Sequence, residues 1–116
     1  MTRGVDQLGA LAAIAEKVNL HCYFPYKHKL SDTEQYIVDK AAEVLYLEDK
    51  YSDGCFFRRD RRLVDDCDLL LVVWDGVKSG GTWYTFQYAI ETRKDFLCFP
   101  WSVMEGWEEE LLIMGE

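Results

Sequence analysis

Leu69-Leu70-Leu71-Val72-Val73-Trp74-Asp75, followed after a short loop by Gly80-Gly81-Thr82, is the stretch that decides the fold. Its apolar residues are continuous rather than alternating. That pattern belongs to a strand covered on both faces, as in parallel sheets. Downstream, Trp83–Lys94 has helical spacing, with Phe86, Ala89 and Ile90 on one side. Phe96–Phe99 then supplies another strand, closed by Pro100.

Working upstream gives the same alternation. Asp53-Gly54 is a turn signal, and Cys55–Cys67 suits a helix with Phe56, Leu63, Val64 and Cys67 turned inward. Ser31 and Glu34 have capping-box spacing, and Ile37, Ala41, Val44 and Leu45 mark the helical face behind them. The chain switches to a short strand within Glu43–Leu47. Leu20–Tyr26 is an earlier strand. Before it, Asp6 reads as the N-cap of a helix carrying Leu8, Leu11, Ala12, Ala15 and Val18, in which Gly9 allows close approach to a strand. At the far end, Met104, Trp107 and Leu111 suggest a last helix, with Glu108-Glu109-Glu110 as solvated surface. The repeated order predicts an α/β fold with right-handed crossovers and a mostly parallel sheet of about four to five strands.

Composition sets the bounds. The 116 residues are 49% hydrophobic and 15% aromatic, enough for one domain spanning 1–116 and too apolar for disorder. No apolar run of about 18 residues exists, so no membrane partner is expected. The first residues lack a signal peptide's pattern, so the expected address is cytoplasmic. The net charge of −8 argues against nucleic-acid binding, which draws on phosphate neutralisation. Cys22, Cys55, Cys67 and Cys98 form no C-x-x-C pair and read as buried reduced thiols. A zinc site built from Cys22, His21 and His28 lacks a second ligand pair and is rejected. No Ser-His-Asp set, P-loop or G-x-G-x-x-G motif is present. No cofactor and no metal are expected.

Ligands of parallel sheets bind beyond the strands' carboxyl ends, where Asp75 stands. Gly80 and Gly81 permit close backbone approach, and Thr82 starts the next helix, whose free N–H groups and dipole suit an anion. The same residues also fit an ordinary strand-to-helix turn. Arg58-Arg59-Asp60-Arg61-Arg62 is either a solvated helix face or a source of ligand contacts. Asp60 falls on the apolar face, where a carboxylate needs a partner, and Arg59 offers parallel donors to a phosphate. Tyr51, Trp74 and Trp83 either stack on a base or pack internally.

Taken together, these motifs resemble the SLOG superfamily, a Rossmann-like group that includes LOG phosphoribohydrolases and a YpsA-like branch. The similarity runs from Gly4 to Phe99 and is closest to the YpsA-like branch. Tyr51-Ser52-Asp53-Gly54-Cys55 resembles its Tyr-containing turn. Arg59-Asp60, with Leu63-Val64-Asp65 and Cys67-Asp68, looks like its Arg-Asn helix, although Asp60 stands where asparagine is usual. Asp75, Gly80-Gly81-Thr82, Thr85 and Tyr88-Ala89 look like its Gly-Gly-Thr-x-x-Thr signature. Arg3-Gly4-Val5-Asp6 is similar to a glycine turn of DprA proteins.

The resemblance implies a three-layer Rossmann-like domain that senses or sequesters a nucleotide or nucleotide-derived small molecule. Phosphate would lie on Gly80, Gly81 and Thr82, with Thr82 and Thr85 offering hydroxyls. Arg59 would pair with phosphate, while Asp60 and Asp75 would meet ribose or orient the arginine. LOG enzymes carry a catalytic glutamate at the position of Thr85, and a hydroxyl cannot serve as that carboxylate base. A LOG-like phosphoribohydrolase working through Asp75 or Asp60 is the alternative, and an interaction subunit with a vestigial pocket is a third. The family's usual first strand-helix-strand unit has no counterpart before Gly4, so the expectation is either a truncated form or a sheet edge completed by a partner copy in a homo-oligomeric dimer.

Overall fold

The computed structural model describes residues 5–100; the expected helix around Met104, Trp107 and Leu111, and the Arg3-Gly4 turn, lie outside them. The order is α1 (Val5–Ala15), β1 (His21–Phe24), α2 (Asp32–Lys40), β2 (Glu43–Tyr46), α3 (Cys55–Asp66), β3 (Leu70–Trp74), α4 (Gly80–Glu91) and β4 (Phe96–Pro100). The chain is therefore α/β, and both strand pairs are parallel. It folds as two compact units that divide between Lys50 and Tyr51. Each unit holds its own two-stranded sheet, β1-β2 or β3-β4.

The first unit is a helix-strand-helix-strand layer pair. His21 pairs with Glu43 and Phe24 with Tyr46 at the ends of the register. In a parallel pair partners share a face, so Cys22 and Phe24 turn to the same side as Val44 and Tyr46. There they meet Ala10, Leu11 and Ile37 in one buried cluster. Phe24 stacks on Tyr46 with centroids 5.0 Å apart. Helix α2 starts where the sequence places it. The Ser31 hydroxyl accepts from Glu34 N–H at 3.2 Å, and Glu34 Oε1 accepts from Ser31 N–H at 3.1 Å. Two expectations for α1 change. Asp6 sits inside the first helical turn rather than capping it, and Gly9 has no neighbour within 4 Å of where a Cβ would stand. Val18 lies beyond the end of α1 and is exposed.

The second unit repeats the plan. Helices α3 and α4 pack on each other, and α4 packs on β3. Register pairs Leu70 with Phe96 and Trp74 with Pro100. Phe86 of α4 meets Phe96 edge-on at 4.8 Å and Trp74 at 5.7 Å, so α4 covers the sheet face carrying those residues. On the opposite face Leu71 and Leu97 are 61% and 50% exposed, while Val73 on that same face is buried. The unbroken apolar run predicts burial along both faces; in the structure Val72 and Val73, on opposite faces, are buried, and Leu71 is not. Lys94 Nζ closes the unit by donating to the Cys67 carbonyl at 2.6 Å.

No helix among the described residues is long and apolar enough to cross a membrane.

Candidate functional site

The loop leaving β3 is shaped by its own polar groups. Asp75 Oδ1 accepts from Val77 N–H at 2.9 Å, the side-chain turn that aspartate favours. The Trp74 indole N–H donates to the Val77 carbonyl at 2.9 Å. Gly76 then takes φ 86° and Gly80 φ 87°, a region open to glycine with little strain. The chain thus enters α4 through a left-handed residue. Helix α4 opens at Gly80, earlier than spacing alone suggests, so Thr82 stands in its first turn rather than at its start. Ser79, preceding it, makes no side-chain cap hydrogen bond. The first N–H groups of a helix have no partner within it, and here they are left open toward the loop.

Helix α3 brings its central residues to the same place. Its inward stripe is Cys55, Arg59 and Val64, each buried, whereas Phe56 is exposed. Val64 keeps its expected place, while Phe56 leaves the inward face and Cys55 and Arg59 join it. Arg59 is 5% exposed. Its Nε donates to Asp60 Oδ1 at 2.7 Å. The other Asp60 oxygen lies 3.9 Å from where a Gly81 Cβ would stand. Sequence neighbours on α3 thus reach the entrance of α4.

The remaining guanidinium nitrogens are informative. Among the described residues Arg59 Nη1 and Nη2 have no acceptor, and no fully buried side-chain nitrogen lacks a partner. Each nitrogen keeps a trace of exposure in a side chain that is 6% exposed. A guanidinium held by a carboxylate through Nε, with two further nitrogens left to donate, is suited to an oxyanion such as phosphate or carboxylate.

Of the residues singled out in the sequence, Arg59, Asp60, Gly80, Gly81 and Thr82 come together. Thr85 is in the same helix, but its hydroxyl donates to the Gly81 carbonyl at 2.8 Å, a bond within the helix. Asp75 serves its own loop. The other arginines of the run also have local partners. Arg58 donates to the Asp53 carbonyl and the Ser52 hydroxyl, Arg61 Nε to the Tyr84 hydroxyl, and Arg62 Nε to Asp66. Tyr88 donates to Asp65 at 2.7 Å, and that bond is the main reason its phenol is held above its ordinary pKa.

Lys78 is a residue that sequence reasoning passes over. Its Nζ stands 5.9 Å from the centroid of the Trp83 ring; the only signal was its place in the loop before the glycines. In the first unit, a depression of about 390 Å³ is lined by Ile14, Lys17, Asn19, Leu20 and Lys40. Its lysines lie at the C-terminal ends of α1 and α2, where cations offset the helix dipoles. Among the described residues no group of three or more His, Cys, Asp or Glu could hold a metal ion. No family model, curated protein or solved structure matches the chain.

Proposed function

We propose that the chain is a binding module for a nucleotide or nucleotide-derived small molecule, of Rossmann-like three-layer architecture with a mostly parallel sheet of about four to five strands, related to the YpsA-like branch of the SLOG superfamily. The observation that carries the reading is Arg59. A buried guanidinium bonded to Asp60, whose other oxygen lies 3.9 Å from where a Gly81 Cβ would stand at the entrance of α4, sets a fixed cation near open helix N–H groups. Those are the two elements of a phosphate site. Asp60 orients the arginine and lies close enough to Gly81 to accept from a ligand hydroxyl. Thr82 adds a hydroxyl at the helix entrance. Binding is favoured over bond cleavage because Thr85, in the position of the LOG glutamate, is a hydroxyl already bonded to Gly81.

As partner we propose a second copy of the chain. Parallel sheets are stable when both faces are covered, and Leu71, Leu97 and Phe99 form an exposed apolar patch on one face of the β3-β4 pair.

The test of the binding reading is calorimetric titration of the chain with nucleoside monophosphates, paired with Gly81→Glu. That substitution places a carboxylate at the helix entrance, where helices accept it, and blocks the phosphate position. Saturable binding to the parent chain, abolished in a folded Gly81→Glu variant, is expected. Equal binding by both chains would remove the glycine turn from the site, and no binding to the parent chain would end the proposal.

A further inference from the structure

We propose that the stacked indoles of Trp74 and Trp83 form the base platform of this site, so that its ligand carries a planar nitrogenous base and is not a bare sugar phosphate. The proposal rests on the binding reading above and narrows it. Trp74 closes β3, and Trp83 directly follows Gly80-Gly81-Thr82. Their rings lie 5.1 Å apart at 12°. Helix side chains tilt toward the N-terminus, so the Trp83 indole flanks the end of α4 where the open N–H groups lie.

Internal packing accounts for part of this arrangement. Phe86 meets both indoles edge-on, at 5.7 and 6.3 Å, and is buried. The indoles themselves remain only half-buried, and Lys78 places its ammonium over Trp83. An exposed cation on an indole face is held weakly. A base sliding onto Trp83 would replace that contact with a stack. Lys78 would then be released beside the phosphate bound at Gly80 and Gly81, adding a second cation to Arg59. The chain would thus read a ligand at both ends, a flat π-face against indole and an anion at the helix entrance. Stacking is tolerant of base identity, so the platform selects for a base without selecting which one.

The experiment compares inorganic phosphate, ribose 5-phosphate and nucleoside 5′-monophosphates by calorimetry on the full chain. The nucleotides are expected to bind about tenfold tighter than ribose 5-phosphate, at the low end of what base–aromatic stacking contributes. Trp83→Leu is expected to erase that advantage, so that nucleotides and ribose 5-phosphate bind the variant alike. Equal affinity of ribose 5-phosphate and nucleotides for the parent chain would overturn the platform and leave the phosphate reading standing. No binding of any of the three would overturn both. Should Trp83→Leu fail to fold, the base protons of a bound nucleotide on the parent chain decide. An upfield ring-current shift on binding supports the stack, and unshifted base protons refute it.

Discussion

Arg59 and Asp60 are neighbours in sequence and close into an ion pair whose Nε–Oδ1 distance is 2.7 Å, with side chains 6% and 14% exposed. At that depth each charge depends on the other, because an unpaired buried ion retains most of its desolvation cost. Asp60→Ala should therefore destabilise the chain by about 3 kcal/mol, at the lower end for such a pair because the Arg59 Nη atoms keep a trace of exposure. Urea unfolding monitored by tryptophan fluorescence measures it; a loss under about 0.5 kcal/mol, typical of a surface change, would contradict the pairing. The sequence shows why this was only half legible. Four arginines around one aspartate look alike in a row, and a helix turns 100° per residue, so a one-residue error in the inward stripe decides which arginine is buried. For Asp75 the gap in legibility is of the same kind. Its place at a strand end is visible in sequence, but whether its carboxylate faces a ligand or its own loop depends on where Val77 turns.

At the scale of the element, the two glycines before Thr82 have separate duties. Gly80 takes φ 87°, so Gly80→Ala should cost about 1–2 kcal/mol, the cost of forcing an L-residue into the left-handed region. Gly81 has no such conformation, and its added Cβ would meet only Asp60 at 3.9 Å. Gly81→Ala is therefore expected to be neutral or to stabilise by up to about 1 kcal/mol through the unfolded chain. Thermal unfolding of the two variants separates them; equal losses would refute the division. In α2 the cap carries its own pH signature. Burial alone would push the Glu34 carboxyl up, but hydrogen bonds from Ser31 outweigh it and hold the group below its ordinary 4.5. A folded pKa below the unfolded one stabilises above the unfolded value, and that contribution is lost as pH falls through the folded value. Stability of the parent chain should drop across that acid window more steeply than that of Glu34→Gln; parallel pH profiles would refute the assignment. This cap was readable because its signal spans only residues 31 to 34. The eight elements of the described residues were readable in kind for the same reason, since spacing and turn chemistry are local.

For the whole molecule, what the sequence could not supply was layering. The run 69–74 has the apolarity of a strand covered twice, yet Leu71 and Leu97 are 61% and 50% exposed. Apolarity reports that a face seeks cover, and says nothing of which element or chain provides it. With a second copy as the proposed cover, Leu71→Lys should leave the chain folded, within about 0.5 kcal/mol of the parent, and shift it from dimer to monomer in sedimentation velocity. A parent chain that sediments as a monomer at all concentrations would refute the dimer.

Gly80 has one more consequence, and it concerns handedness. The residue stands at φ 87°, which is disfavoured for an L-amino acid and favoured for its mirror image. A D-alanine placed there by chemical ligation would find its own preferred basin, while also restricting the unfolded chain that glycine leaves free. Two side chains of identical composition would thus act with opposite sign at one position, L-alanine loosening the entrance of α4 and D-alanine tightening it. The turn that opens the proposed site is in that sense a chiral switch point, at which the achirality of glycine is the property the fold uses.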